Sequence, residues 1–132
     1  MKKIIALFIL LILVASPFFA SSVEQPKVEI HFAWFHWGIV IVVGNSEDEA
    51  IHHVCLDSIS IAGFVFIGCN SVDYLEEIGS YGVGYLIVPI FGFGRCLVTA
   101  EISYEYEGIT YNETLHGLFF VFGTTTLLLQ EW

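Results

Sequence analysis

Leu97-Val98-Thr99-Ala100-Glu101-Ile102-Ser103 alternates with a period of two. Val98, Ala100 and Ile102 fall on one face of an extended chain, and Leu97, Thr99, Glu101 and Ser103 on the other. That is the core-in, solvent-out pattern of an antiparallel sheet. It predicts a strand from Arg95 to Tyr106. Outward from it, Tyr111 to Phe122 reads as the next strand, with Thr124 to Leu129 as an extension, and Gly82 to Phe91 as the strand before. Val28 to Trp37, Gly38 to Val43, Ile51 to Ile61 and a run starting with Phe64 to Ile67 complete seven short strands. Gly44-Asn45-Ser46 with Glu47, Asp48 and Glu49 forms a solvated turn. Ala62-Gly63 is a tight turn, and Asn70 to Ser80 reads as a polar loop. No stretch after residue 22 carries a period of 3.6. The expected fold is all-β, an antiparallel sandwich of about seven strands.

The 132 residues are 56% hydrophobic and 16% aromatic, with 14% charged. A chain of this kind is not disordered, and its length fits a single domain. Residues 1–22 carry an export signature. Lys2 and Lys3 precede the apolar run Ile4 to Val14, Pro17 breaks the run, and Ala20 and Ser22 suit a cut before Val23. The alternative is a membrane anchor over residues 4–20, at the lower length limit of a span. In both cases residues 23–132 lie outside the cytoplasmic membrane, secreted or at the cell surface. Removing residues 1–22 takes away two lysines and no acid, leaving 14 acids against Lys27 and Arg95, a charge of −12. Such a surface repels nucleic acid and anionic headgroups. Membrane contact is expected only through an uncleaved N-terminal segment.

In Ile39 to Val43 and Leu118 to Phe122 both strand faces are apolar. A two-layer sandwich has one core side per strand, so alternate members of each run must face outward. Ile39, Ile41, Val43, Phe119 and Val121 are the expected partner face. The acids Glu101, Glu105 and Glu107 suit the guarding of strand edges.

The order of landmarks carries a resemblance. Gly38-Ile39-Val40-Ile41-Val42-Val43 is followed by Asn45 and Ala50, and Gly68 closes Phe64-Val65-Phe66-Ile67. Phe91-Gly92-Phe93-Gly94, Val98-Thr99-Ala100 and Gly117 follow. This resembles short secreted Ig-like domains of the CARDB type, especially small prokaryotic, largely archaeal versions with a phenylalanine–glycine corner before the penultimate strand. The resemblance spans about Trp37 to Phe122. It implies an Ig-like β-sandwich used outside the cell for adhesion or as a spacer, without catalysis. The family's turn after the second strand is N-x-G, whereas here it is Asn45-Ser46-Glu47. Read on its own chemistry, the FGFG run lets the backbone bend at Gly92 and Gly94 while Phe91 and Phe93 cap the open end of the core. It is not a phosphate loop, because a strand rather than a helix follows it.

The remaining chemistry is sparse. His52 and His53 point to opposite faces of a strand, as do His31 and His36, and no motif with metal-ligand spacing is present. One of His31 or His36 with one of His52 or His53 is the pair that could share an ion. There is no GxSxG elbow, and Glu47-Asp48-Glu49 lacks the spacing of a calcium loop. No metal, cofactor or catalytic residue is expected. Of three cysteines, Cys55 and Cys69 flank the Ala62-Gly63 turn at opposed hairpin positions and form the disulfide candidate; Cys55–Cys96 competes, and three free thiols are the remaining alternative. Cys96 shares parity with Val98 and should point inward. Asn112-Glu113-Thr114 is a sequon, so Asn112 is a glycosylation candidate. These residues together predict a non-catalytic structural or adhesion module of the cell exterior. Its expected partner is an envelope or surface protein, possibly a second copy, held on an apolar sheet face. The alternative is a small secreted β-barrel enclosing an apolar ligand.

Overall fold

The structure, a computed structural model, describes residues 25–132. The expected signal or anchor over residues 1–22 lies outside the described residues. These form ten strands and no helix: β1 Val28–Phe32, β2 Phe35–Trp37, β3 Ile39–Asn45, β4 Ile51–Ala62, β5 Val65–Ile67, β6 Tyr74–Ile78, β7 Val83–Val88, β8 Ile90–Tyr106, β9 Ile109–Gly123 and β10 Thr125–Glu131. All pairings are antiparallel. A small sheet has the order β1-β3-β7, and a large one the order β2-β10-β9-β8-β4-β6, with β5 also paired to β8. The architecture is all-β and sandwich-like.

The predicted alternation of Arg95 to Tyr106 is present. Val98, Ala100 and Ile102 are buried, Leu97 and Glu101 are exposed, and Cys96 points inward. β8 and β9 form a long hairpin closed by Glu107 and Gly108, at φ 52° and 77°. Two consecutive positive φ values make the type I′ turn whose twist matches the flanking strands. The core lies between the sheets. Inward residues of β8 and β9, such as Cys96, Ile102, Phe119 and Val121, meet Phe32, Ile39, Ile41 and Leu86 of the small sheet.

Four expectations about the strands need correction. The Gly82–Phe91 run is not one strand: β7 ends at Val88 in the small sheet, and Phe91 belongs to β8 of the large one. The Val28–Trp37 run is two strands, because the chain crosses between sheets at Ala33-Trp34 and returns at Gly38. At Gly38, φ is +87° and a Cβ would lie 2.7 Å from the carbonyl oxygen of Val88. The polar stretch Asn70–Ser80 contains β6, an edge strand that buries Ile78 and leaves Glu76 and Glu77 exposed. Charged edges of this kind deter further strand pairing, which is why the strand reads as a loop. Finally, Thr124–Leu129 does not extend β9. Gly123, at φ +65°, turns the chain back as β10.

The disulfide candidate also fails. Its arithmetic requires a hairpin at Ala62-Gly63, but the chain only bends there. β4 pairs with β8 up to Ala62↔Leu97, and β5 continues in the same direction along β8 with Val65↔Gly92. Cys55 lies opposite Ser103, and Ile67, two residues before Cys69, lies opposite Ile90. At about 3.3 Å per residue, the extended run between the two cysteines far exceeds disulfide reach. All three cysteines are free. The competing Cys55–Cys96 link is also absent, since those residues sit at separated positions along β8. Peptide mapping without reduction is expected to find three thiols. A thiol reagent should label exposed Cys69 in the folded protein and reach buried Cys96 only on unfolding, because burial also holds that thiol protonated. A Cys55–Cys69 crosslink in the native protein would contradict the β5–β8 pairing.

Candidate functional site

The five expected partner-face residues do not form a surface. Ile39, Ile41, Val43, Phe119 and Val121 are each 0% exposed, and all five belong to the core. The parity is opposite to the expectation: on β9 the outward residues are Leu118, Phe120 and Phe122.

Those outward residues belong to a larger face. Where β8 begins, Phe66 of β5 lies opposite Phe91. One step along, Phe93 lies opposite Phe122, then come Thr125 of β10 and Trp37 of β2. The next row runs Arg95, Phe120, Leu127, Phe35, and the one after it Ala62, Leu97, Leu118. Rings touch across the rows, with Phe93 centred 5.9 Å from Phe120 and 5.8 Å from Phe122, and Phe64 5.9 Å from Phe66. At two residues per same-side step, these four rows span about 20 Å along the strands.

Beyond Leu97 the face changes character. Ser60, Thr99 and His116 form the next row, followed by Ser58, Glu101 and Thr114, then Cys55, Ser103 and Asn112. Glu105 and Glu107 close the hairpin end, where His52 faces both Glu77 and Glu105. One sheet face therefore has an aromatic half and an acidic half. Arg95 is the only Lys or Arg of the aromatic half among the described residues. Among the described residues it forms no ion pair; the histidine–carboxylate pairs, His31–Glu131 at 3.5 Å and His53–Glu105 at 4.0 Å, do not involve it.

The strand backbone explains the FGFG motif differently from the sequence. Phe91 and Phe93 do not cap the core; they are 62% and 61% exposed on the outer face. Gly92 is inward and buried, and a Cβ there would lie 2.4 Å from the carbonyl oxygen of Phe64 and 2.8 Å from Cα of Val65. Glycine lets β5 approach β8. Gly94 takes φ +100°. The missed signal was available, because carrying the parity of Val98 back along the strand puts Phe91, Phe93 and Arg95 on the outward side.

The other candidates are scattered. His31 meets Glu131, while His53 contacts the Tyr74 hydroxyl at 2.8 Å on the acidic end. His36 is exposed on β2 and shares nothing with either. No group of three or more His, Cys, Asp or Glu side chains could hold a metal among the described residues. Asn112 is exposed on the polar half of the outer face, with Thr114 beside it on the same side. Burial, reinforced by Asp57 and Asp73, raises the Cys55 thiol above its ordinary value. The Tyr104 phenol, stacked on Tyr111 at 5.5 Å, is pushed up to about 12 by burial, then by Glu113 and Tyr111. Tyr106 is likewise pushed up to about 12, by desolvation first and then by the carboxylates of Glu107, Glu47, Glu49 and Asp48. These phenols stay neutral near pH 7. No family model matches the chain, and no curated protein matches it.

Proposed function

We propose that this chain is a non-catalytic structural or adhesion module of the cell exterior, with an Ig-like sandwich that binds a protein partner through the aromatic half of its large sheet. The observation that carries this reading is the division of the outer face. Seven phenylalanines between 37% and 75% exposed share one half, and Glu77, Glu101, Glu105 and Glu107 share the other. A lone soluble domain rarely keeps so large a contiguous apolar patch open to water. The C-terminal strand does not cover it, since β10 pairs edge to edge with β9 and widens the face. Residues 1–22 supply the route outside, either removed or kept as an anchor. The order of glycines and apolar runs supports the likeness to CARDB-type domains.

The β-barrel alternative has less support. The two sheets do not close on each other, and the space between them is filled by core side chains. The test is to replace Leu118, Phe120 and Phe122 together by threonine in the exported protein. The variant should stay folded by circular dichroism and lose its attachment to native envelope material. Unchanged attachment would refute the reading.

A further inference from the structure

We propose that the aromatic half of the outer face docks on the same face of a second copy of this chain. The inference rests on the reading above and names its partner. Four observations favour a second copy.

The first is area. At about 200 Å² per ring, the exposed fractions of the seven phenylalanines amount to roughly 800 Å², about what each partner of a standard interface buries.

The second is charge. No acid lies in the four aromatic rows, and the first is Glu101, two rows beyond Leu97. Two copies overlapping only at their aromatic ends leave both acidic poles outside the contact. The poles are then separated by more than the ~10 Å over which charges interact in moderate salt.

The third is where the chain enters. Val28 pairs with Asn45, and the Lys27 backbone N–H donates to Glu47 at 2.6 Å, so the described chain begins at the acidic pole. An anchor over residues 4–20 would hold that pole to its bilayer and present the aromatic rows away from it.

The fourth is shape. Beside Arg95 a depression of about 240 Å³ is lined by Ala62, Cys96, Leu97 and Leu118. Phe93 and Phe122 protrude one row away, 61% and 66% exposed. The face thus carries both rings that project and a hollow that receives one. A guanidinium with no carboxylate partner is accommodated by a ring laid on it.

The test is sedimentation of the full chain in the form the cell exports, across a concentration series. A monomer–dimer equilibrium is expected, tightening as salt is added. Phe93→Thr and Phe122→Thr should each weaken it at least about tenfold, with the thermal midpoint nearly unchanged at concentrations where wild type and variants are all monomeric. A retained N-terminal segment is common to all variants, so their difference reads the face alone. A monomer at every concentration, or a dimer indifferent to both substitutions, overturns the proposal. If the protein is monomeric yet Phe122→Thr releases it from envelope material, the docking reading survives and the second copy does not. Flotation of wild type but not Phe122→Thr with phosphatidylcholine vesicles, without dimerisation, replaces the second copy by lipid and also overturns it.

Discussion

Phe119→Ala is expected to destabilise the fold by about 3–5 kcal/mol, while Phe120→Thr and Phe122→Thr, which lose only cross-strand ring contacts, each cost about 1 kcal/mol or less. The three positions are close in sequence and alike in hydrophobicity, so the contrast isolates strand parity. Phe119 is fully buried, and its ring meets Phe32 edge to face, 5.0 Å between centroids at 85°. That contact joins β9 of the large sheet to β1 of the small one. Gly117 makes room for it, since a Cβ there would lie 2.7 Å from Phe119 Cε1 and 2.9 Å from the Phe32 ring. Alanine at 119 leaves a cavity that a glycine neighbour cannot fill. Domains of this size have about 5–15 kcal/mol of total stability, so the loss is a large share. A thermal melt should show the midpoint falling by about 15–30 °C for Phe119→Ala. If Phe122→Thr melts as early as Phe119→Ala, the assignment of the two faces is wrong.

That parity was only half legible in the sequence. Val98, Ala100 and Ile102 alternate with polar residues, so their inward direction follows from the residues alone. Leu118 to Phe122 offers no polar member to mark the solvent side, and period two then fits either phase equally well. The phase is settled by the register with β8, where Val98↔Gly117 and Cys96↔Phe119 place the odd members of β9 inside. A similar ambiguity hid the turn at Ala62-Gly63. An Ala-Gly pair between two apolar runs signals a hairpin, but Gly63 at φ +151° only redirects the chain past Cys96, whose Cβ would lie 2.8 Å from an added Cβ. Local turn chemistry cannot choose between reversal and bend when the partner strand, β8, lies thirty residues away. The aromatic face needed both facts. Phe64 and Phe66 reach Phe91 and Phe93 only because β5 runs on beside β8.

Asn45→Asp should be the most damaging nearly isosteric change on the polar side of the fold. Asn45 is buried at the end of β3. Its Nδ2 group donates toward the carbonyl oxygens of Glu49 at 2.8 Å, Gly79 at 3.1 Å and Ile78 at 3.3 Å, and its Oδ1 accepts from the Glu47 N–H at 3.0 Å. One amide closes the β3–β4 turn as an Asx turn and ties it to the end of β6. The turn Asn45-Ser46-Glu47 is therefore held by a side-chain amide and needs no glycine. A carboxylate has the same outline but no hydrogen to donate, so it would face three carbonyl oxygens as a buried charge. The expected loss is about 3–5 kcal/mol at neutral pH. Burial and the opposing carbonyls would raise the folded-state pKa of the new carboxyl above its unfolded value of about 3.9. An acid shifted upward binds its proton more tightly in the folded state, so the penalty is full above the folded pKa. It shrinks as pH falls toward the unfolded value, where the protonated acid can donate one of the missing bonds. Urea midpoints of variant and wild type across a pH series should converge on acidification. Asn45→Ala, which also loses the donor but carries no charge, should show a deficit independent of pH. A gap between Asn45→Asp and wild type that stays constant with pH would mean that shape or turn geometry, not the missing donor and the buried charge, governs this corner.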